Sequence, residues 1–250
     1  MKLAIAPTML RRFQEHTPPG NPKSIPPHHP ASMRAGTVYP RMVRDPRGER
    51  VLKSGHNSRK IGGMMTLGPW AGFPIFTLTL EERATCPSTC SEWQSCYGNK
   101  MNWAPRFQHG PDLERCVEED LDWLSRENRR GFVVRPHILG DFYSIDYARK
   151  WAGWLDQFPR LHVFGYTARP ANSEIGGFVD RMSEARWDRF AVRLSNSERS
   201  ERSTVTVAHE SLAPEGSVVC PAQTEKNKHL ACATCGICMY SKKQVAFIRH

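Results

Sequence analysis

The sequence predicts an α/β protein, either a partial parallel (β/α) barrel or an open parallel sheet, with a cysteine-rich C-terminal extension. Three observations lead there. Between residues 132 and 195, β-branched and aromatic runs alternate with stretches of helical apolar spacing, the order that lays parallel strands side by side with crossover helices. The segments after successive strands, GDFYS (140–144), YTARP (166–170) and LSNSERS (194–200), are polar, as strand ends are where an α/β site forms. Seven of the eight cysteines fall in two sets, one after the first strand and one near the C-terminus.

The elements follow in order. PIFTLTL (74–80) reads as the first strand and ends just before the cysteine loop. Residues 111–127 read as a helix: Pro111 suits its first turn, Asp112 and Glu114 complement the dipole, and Leu113, Val117, Leu121 and Leu124 form one stripe. FVVRPHILG (132–140) is the next strand, and its alternation puts Arg135, His137 and Leu139 on one face. Ser144 caps a helix carrying Ala148, Trp151, Ala152 and Leu155. LHVFGYT (161–167) is a strand, Asn172 caps a helix carrying Ile175, Phe178, Val179 and Met182, and RFAVRLS (189–195) is a strand again. TVTVA (204–208), SVVC (217–220) and QVAFIRH (244–250) are short strands of the extension.

Composition divides the chain into three parts. Residues 1–63 form a basic, proline-rich N-terminal arm, 64–200 an α/β core holding the three-cysteine loop, and 201–250 a four-cysteine metal-binding extension. Six prolines within residues 17–30 exclude helix and central strand there, and the compact fold is expected from near Gly68. Residues 1–60 carry twelve Lys and Arg against three acidic residues, nearly all of the net charge of +10. Such an arm suits contact with phosphates, so DNA or RNA is the expected partner. No apolar run approaches the ~20 residues of a membrane span, and the N-terminus lacks the pattern of a secretory signal. A cytoplasmic protein without a membrane partner is expected, its cysteines thiols or metal ligands rather than disulfides.

The cysteine sets carry the chemistry. Cys232, Cys235 and Cys238 follow at two-residue gaps, with Cys220 remote and next to Pro221. That arrangement suits an iron–sulfur cubane, with zinc as the alternative metal. In ATCPSTCSEWQSCYG (84–98), Cys86, Cys90 and Cys96 supply three thiolates, which leaves one position of a metal centre open. His109 is the nearest downstream histidine, His229 a substitute for the second set, and Cys116 sits on an apolar helix face as a small buried hydrophobe. Asp141, Tyr143, Ser144, Thr167, Arg169, Ser195 and Asn196 would share a rim with the loop. Arg169 and Arg193 suit carboxylate or phosphate, while Trp151 and Trp154 suit packing.

The strand, the Cys86–Cys90–Cys96–Tyr97 loop and the repeated helix–strand units resemble a compact radical S-adenosylmethionine enzyme of the spore photoproduct lyase branch, with three residues more before the last cysteine than the usual spacing. The resemblance implies a 4Fe-4S cluster on Cys86, Cys90 and Cys96, with S-adenosylmethionine on its open iron beside Tyr97, Gly140 and Asp141. It also implies an auxiliary cluster on Cys220, Cys232, Cys235 and Cys238. CPSTC…CYG, RPHILGDFYS, YTAR and the C-terminal cysteines also resemble an uncharacterised phage and actinobacterial family named only by a gene-product number, over about residues 65–250. The first reading is an iron–sulfur enzyme of radical S-adenosylmethionine type, served by a reductase or electron donor and acting on a nucleic-acid or nucleotide-like substrate. Asp141, His137, Tyr143 and Arg169 are its catalytic candidates. The alternative is a non-enzymatic zinc or iron–sulfur protein that binds nucleic acid or regulates.

Overall fold

The computed structural model describes residues 24–224, 227 and 229–249. Its strands are β1 (Val43–Arg44), β2 (Lys53–Ser54), β3 (Ile75–Thr77), β4 (Arg106–Phe107), β5 (Phe132–Arg135), β6 (Leu161–Thr167), β7 (Phe190–Leu194), β8 (Thr204–Val207), β9 (Val218–Val219) and β10 (Val245–Ile248). Its α-helices are α1 (Pro30–Met33), α2 (Pro111–Glu127), α3 (Ile145–Gln157), α4 (Glu174–Ala185), α5 (Cys232–Cys235) and α6 (Ile237–Tyr240). The main sheet has the order β2-β3-β5-β6-β7, parallel except for β2. A second sheet, β8-β10-β9, is parallel throughout, and one bridge from Leu194 to Ser203 carries the arc from β7 towards it. The strands curve without closing a barrel, which makes this a partial α/β fold.

The order of strands explains the layers. β5, β6 and β7 lie side by side in chain order, so right-handed crossovers place α3 and α4 on the same face. There Phe132, Val134, Leu161, Val163, Phe190 and Val192 meet Val117 and Leu121 of α2, Trp151 and Leu155 of α3, and Val179 of α4. Trp151 and Trp154 are packing residues, and Cys116 lies buried in the same core, its Sγ 3.4 Å from the Pro46 carbonyl. The opposite face presents Ile75, Val133, Phe164 and Ala191. It is covered by Ala233 and Met239 of the extension, with Met65 and Trp70.

The helix at 111–127 and the strand at 161–167 form where the periodicity puts them. Other boundaries move. Ser173, not Asn172, caps α4, because its hydroxyl accepts the Gly176 N–H at 3.1 Å. β5 ends at Arg135, since Pro136 has no N–H to extend the ladder. Beyond it the chain still pairs with residues 78–80, but strict alternation is lost. Arg135 and His137 therefore do not share a face. Arg135 lies over Phe164 and Tyr166, while His137 packs on Phe142 and Tyr147 on the helical side.

From Ile25 onward the basic N-terminal region is packed onto the fold rather than free of it. Val51 and Leu52 join the core, and Ile25, Ala31, Val38 and Tyr39 form a small apolar cluster. Arg44, Arg47, Arg50 and Lys53 form ion pairs with Glu49, Asp45, Asp112 or Asp120. The first half of the proline-rich stretch, residues 17–23, lies outside the described residues. No helix among the described residues is long and apolar enough to cross a membrane.

Candidate functional site

The cysteine loop leaves the C-terminal end of β3 and is held by buried polar groups. Arg106 pairs with Glu82 through Nε at 2.7 Å and Nη2 at 3.2 Å, and both side chains are fully buried. Arg106 also donates to the carbonyls of Gly98, Met101 and Ala104, which follow Cys96. Arg83 donates to the Trp93 carbonyl at 2.8 Å and to Asn99 Oδ1 at 2.6 Å. The long gap between Cys90 and Cys96 turns outward. Trp93 Nε1 donates to Ser32 Oγ at 3.2 Å and the Gln94 carbonyl accepts the Ile25 N–H at 3.1 Å, so the extra residues bind the N-terminal segment.

Asp141 ties three strand ends together. Its Oδ1 accepts from Thr167 Oγ1 and the Phe142 N–H, both at 2.7 Å, and its Oδ2 accepts the Ala168 N–H at 2.6 Å. Its own N–H donates to Thr85 Oγ1 at 3.2 Å. Burial pushes this carboxyl up to about 6, against the hydrogen bonds and Arg169, which act to lower it. Arg169 closes the knot, Nε donating to the Phe142 carbonyl at 2.8 Å and Nη2 to the Thr85 carbonyl at 2.7 Å. Gly140 has φ +87°, and a Cβ there would stand 2.5 Å from Thr85 Oγ1, so the close approach of loop and strand end demands glycine.

Beside this knot lies a cleft of about 290 Å³. Cys90, Thr89 and Ser91 form one wall, and Ala168, Arg169, Ser195 and Asn196 the other. Asn196 Nδ2 reaches Ser91 Oγ at 2.5 Å, so the rims of β7 and the loop touch. Of the rim expected from the strand ends, Arg169, Ser195 and Asn196 line the cleft with Cys90, while Asp141 and Thr167 lie in the buried knot beside it. Other candidates lie elsewhere. The Tyr143 hydroxyl donates to Glu114 Oε1 at 2.7 Å, its ring stacks on Tyr147, and His109 stands beside it rather than beside the loop thiols. Ser144 caps α3. His137 is 5 % exposed with neither ring nitrogen hydrogen-bonded, and burial lowers its pKa to about 3, so it is neutral near pH 7.

The thiols of each set act on one another. Burial first, then Asp141, Cys96 and Cys90, push the Cys86 thiol well above its ordinary value, and burial pushes Cys96 up to about 11. In the extension, burial followed by the neighbouring Cys238 pushes Cys220 up to about 12, with Cys232 and Cys235 adding to the rise. Burial pushes Cys232 up to about 11. Thiols held protonated in this way are poor free nucleophiles; a bound cation is what releases their protons. Three thiols in one loop and four in the extension are a donor set that suits thiophilic metal chemistry. Among the described residues, no three His, Cys, Asp or Glu side chains gather closely enough to hold one metal ion. His229 is exposed.

The extension is fastened by Arg193, which holds no carboxylate or phosphate as its residue type suggests. Instead it is fully buried and donates to the carbonyls of Cys238 (3.1 Å), Lys243 (2.8 Å), Ser203 and Ile237 (both 3.4 Å) and Ser241. Gly236, at φ +66°, ends α5 and begins α6, and so turns the chain between Cys235 and Cys238. Sequence reading missed the anchoring roles of Glu82, Arg83, Thr85 and Arg106. The one signal for the first two is the charged run Glu81–Glu82–Arg83 directly between an apolar strand and the cysteines.

No curated protein and no solved structure matches this chain. A family described as gene product 88 matches residues 47–247, which include both cysteine sets, the cleft and the whole main sheet, and the chain belongs to that family.

Proposed function

We propose that this protein is an iron–sulfur enzyme of radical S-adenosylmethionine type, with its reactive centre on Cys86, Cys90 and Cys96 and a second, closed centre on Cys220, Cys232, Cys235 and Cys238. The observation that carries the reading is the position of Cys90 in the wall of the cleft. Cys86, Cys90 and Cys96 would hold that centre, and Arg169, Ser195 and Asn196, which line the same cleft as Cys90, would face a ligand brought there. When bound, an iron–sulfur cluster supplies an electron and an open iron for a chelating ligand. The chain supplies the rest. The Glu82–Arg106 pair and Arg83 fix the loop, Asp141 and Arg169 hold the strand ends against it, and the hydroxyls and guanidinium of the cleft can orient a polar ligand. On this reading Gly140 and Tyr97 would adjoin the site.

Anaerobic reconstitution of the full chain with iron and sulfide tests the reading. The expected product is brown, and Cys90→Ser removes about half of its iron, as Cys235→Ser does independently. S-adenosylmethionine cleavage under reduction should vanish in the Cys90→Ser variant. A colourless protein that takes up only zinc would overturn the enzyme in favour of a metal-stapled binding protein.

We also propose a nucleic-acid or nucleotide-like substrate, on the strength of the basic N-terminal region. Because Val51 and Leu52 are core residues, the informative deletion is of residues 1–23. Those residues carry Lys2, Arg11, Arg12 and Lys23. Removing them should weaken retention on nucleic acid and flatten its salt dependence; unchanged binding and slope would remove the arm from the reading.

A further inference from the structure

The cleft between the cysteine loop and the ends of β6 and β7 has one cation in its wall and no acid. Arg169 is partly exposed there, and none of the residues that line the cleft is a carboxylate. Two of its donors are spent: Nε on the Phe142 carbonyl at 2.8 Å and Nη2 on the Thr85 carbonyl at 2.7 Å. A guanidinium has five N–H donors in a fixed fork, so the side chain is pinned while three donors are left over. The Asp141 carboxylate feels this charge, but its oxygens are filled by Thr167, Phe142 and Ala168, and it does not take up the spare donors.

The rest of the lining is polar and held in place. Thr89 and Ser91 bring hydroxyls to one wall, and Ser195 and Ser197 bring them to the other. Asn196 has φ +48°, a left-handed conformation that Asn tolerates better than most residues. Its side chain fixes it there: Nδ2 donates to Ser91 Oγ at 2.5 Å, and Oδ1 accepts the Thr206 N–H at 3.0 Å. The two walls are therefore joined before any ligand arrives, and little ordering is left to oppose binding. At about 290 Å³ the cleft is at the lower end of small-molecule sites, with room for one compact polar molecule.

We propose that this cleft is a phosphate site, anchored by Arg169, that takes the phosphate monoester of a small molecule such as a single nucleotide. A phosphate monoester carries close to two negative charges and three strong acceptor oxygens, so it meets a guanidinium and the hydroxyls of two walls at once. A carboxylate has two oxygens in one plane and leaves one wall unused. The inference deepens the nucleotide-like substrate proposed above and rests on that reading for the identity of the molecule. The phosphate site itself is built from this chain's side chains alone and needs no metal.

Isothermal titration calorimetry of the full chain, in a phosphate-free buffer, tests this with adenosine monophosphate, ribose phosphate and adenosine as probes. Both phosphates should bind and adenosine should not. Tighter binding of the nucleotide than of ribose phosphate supports the site with a nucleotide as its ligand, and equal binding supports it with a sugar phosphate. Arg169→Gln should weaken nucleotide binding about 10- to 100-fold, the loss expected for a hydrogen bond to a charged group. Because Arg169 also holds the strand ends, Asn196→Asp is the second variant. Aspartate tolerates the same φ and keeps both hydrogen bonds, with the Ser91 hydroxyl now donating, but it sets a negative charge in the wall. It should weaken binding about 10-fold or more while the unfolding midpoint stays unchanged. Adenosine bound as tightly as the nucleotide, or equal affinity of Asn196→Asp and its parent, would overturn the phosphate site. A parent that binds neither phosphate would also overturn it, and S-adenosylmethionine cleavage by the reconstituted chain would then decide the enzyme reading on its own.

Discussion

Arg106→Met lowers the unfolding free energy by about 3–5 kcal/mol, because it leaves Glu82 as an unpaired charge in a site closed to water. The loss extends beyond one ion pair. Arg106 spans from Glu82 to three carbonyls between Gly98 and Ala104, so it holds both ends of the cysteine loop at once. Chemical denaturation of the variant measures the effect. The paired substitution Glu82→Leu with Arg106→Met should be less destabilised than the single one, since no buried carboxylate remains without a partner. A single variant that loses less than about 1 kcal/mol would mean that water or another cation reaches Glu82.

Arg193→Met should release the four-cysteine extension from the sheet, at a loss of about 3–5 kcal/mol, since five carbonyls give up a charged donor. Lysine should rescue little, because one ammonium on a flexible stem cannot span the positions that a planar guanidinium reaches. Limited proteolysis is the direct measurement. Cleavage is expected first within residues 199–243, while the sheet with α2, α3 and α4 persists. Intact resistance in that segment would show that β10, pairing with both β8 and β9, holds the extension without Arg193.

Both substitutions act on residues whose roles had no signature in the chain. Arg106 sits in a short segment without periodicity, and its partner Glu82 lies 24 residues earlier. Arg193 alternates correctly within an apolar strand and looks like a surface cation or an anion ligand. Its five acceptors come from segments 10 to 50 residues further on. Hydrogen bonds of that range leave no local pattern. The expectation that Arg135 and His137 share a face failed for a related reason: period-2 alternation assumes an unbroken ladder, and Pro136 interrupts it one residue earlier.

The N-terminal region shows the same limit from the side of composition. A proline-rich, basic stretch without apolar periodicity reads as a solvated arm. Yet Ile25, Val38 and Tyr39 form one small buried cluster, while Val51 and Leu52 join the main core. Their partners include the very residues that lengthen the cysteine loop. Within the gap between Cys90 and Cys96, Trp93 and Gln94 dock on Ser32 and Ile25.

By itself, the sequence determined what local physics controls. Helical and strand periodicity placed α2, α3, β6 and β7 to within a residue or two, because an apolar stripe must face a core wherever that core lies. The parallel order then put the polar strand ends on one rim, and the cysteine spacings marked two thiol sets. Only the tertiary structure decided which rim residues meet. It brought Cys90, Arg169, Ser195 and Asn196 around one cleft and turned Tyr143 and His137 away from it. Those outcomes depend on long-range hydrogen bonds and on the placing of single buried charges, whose energies depend on partners far away in the chain.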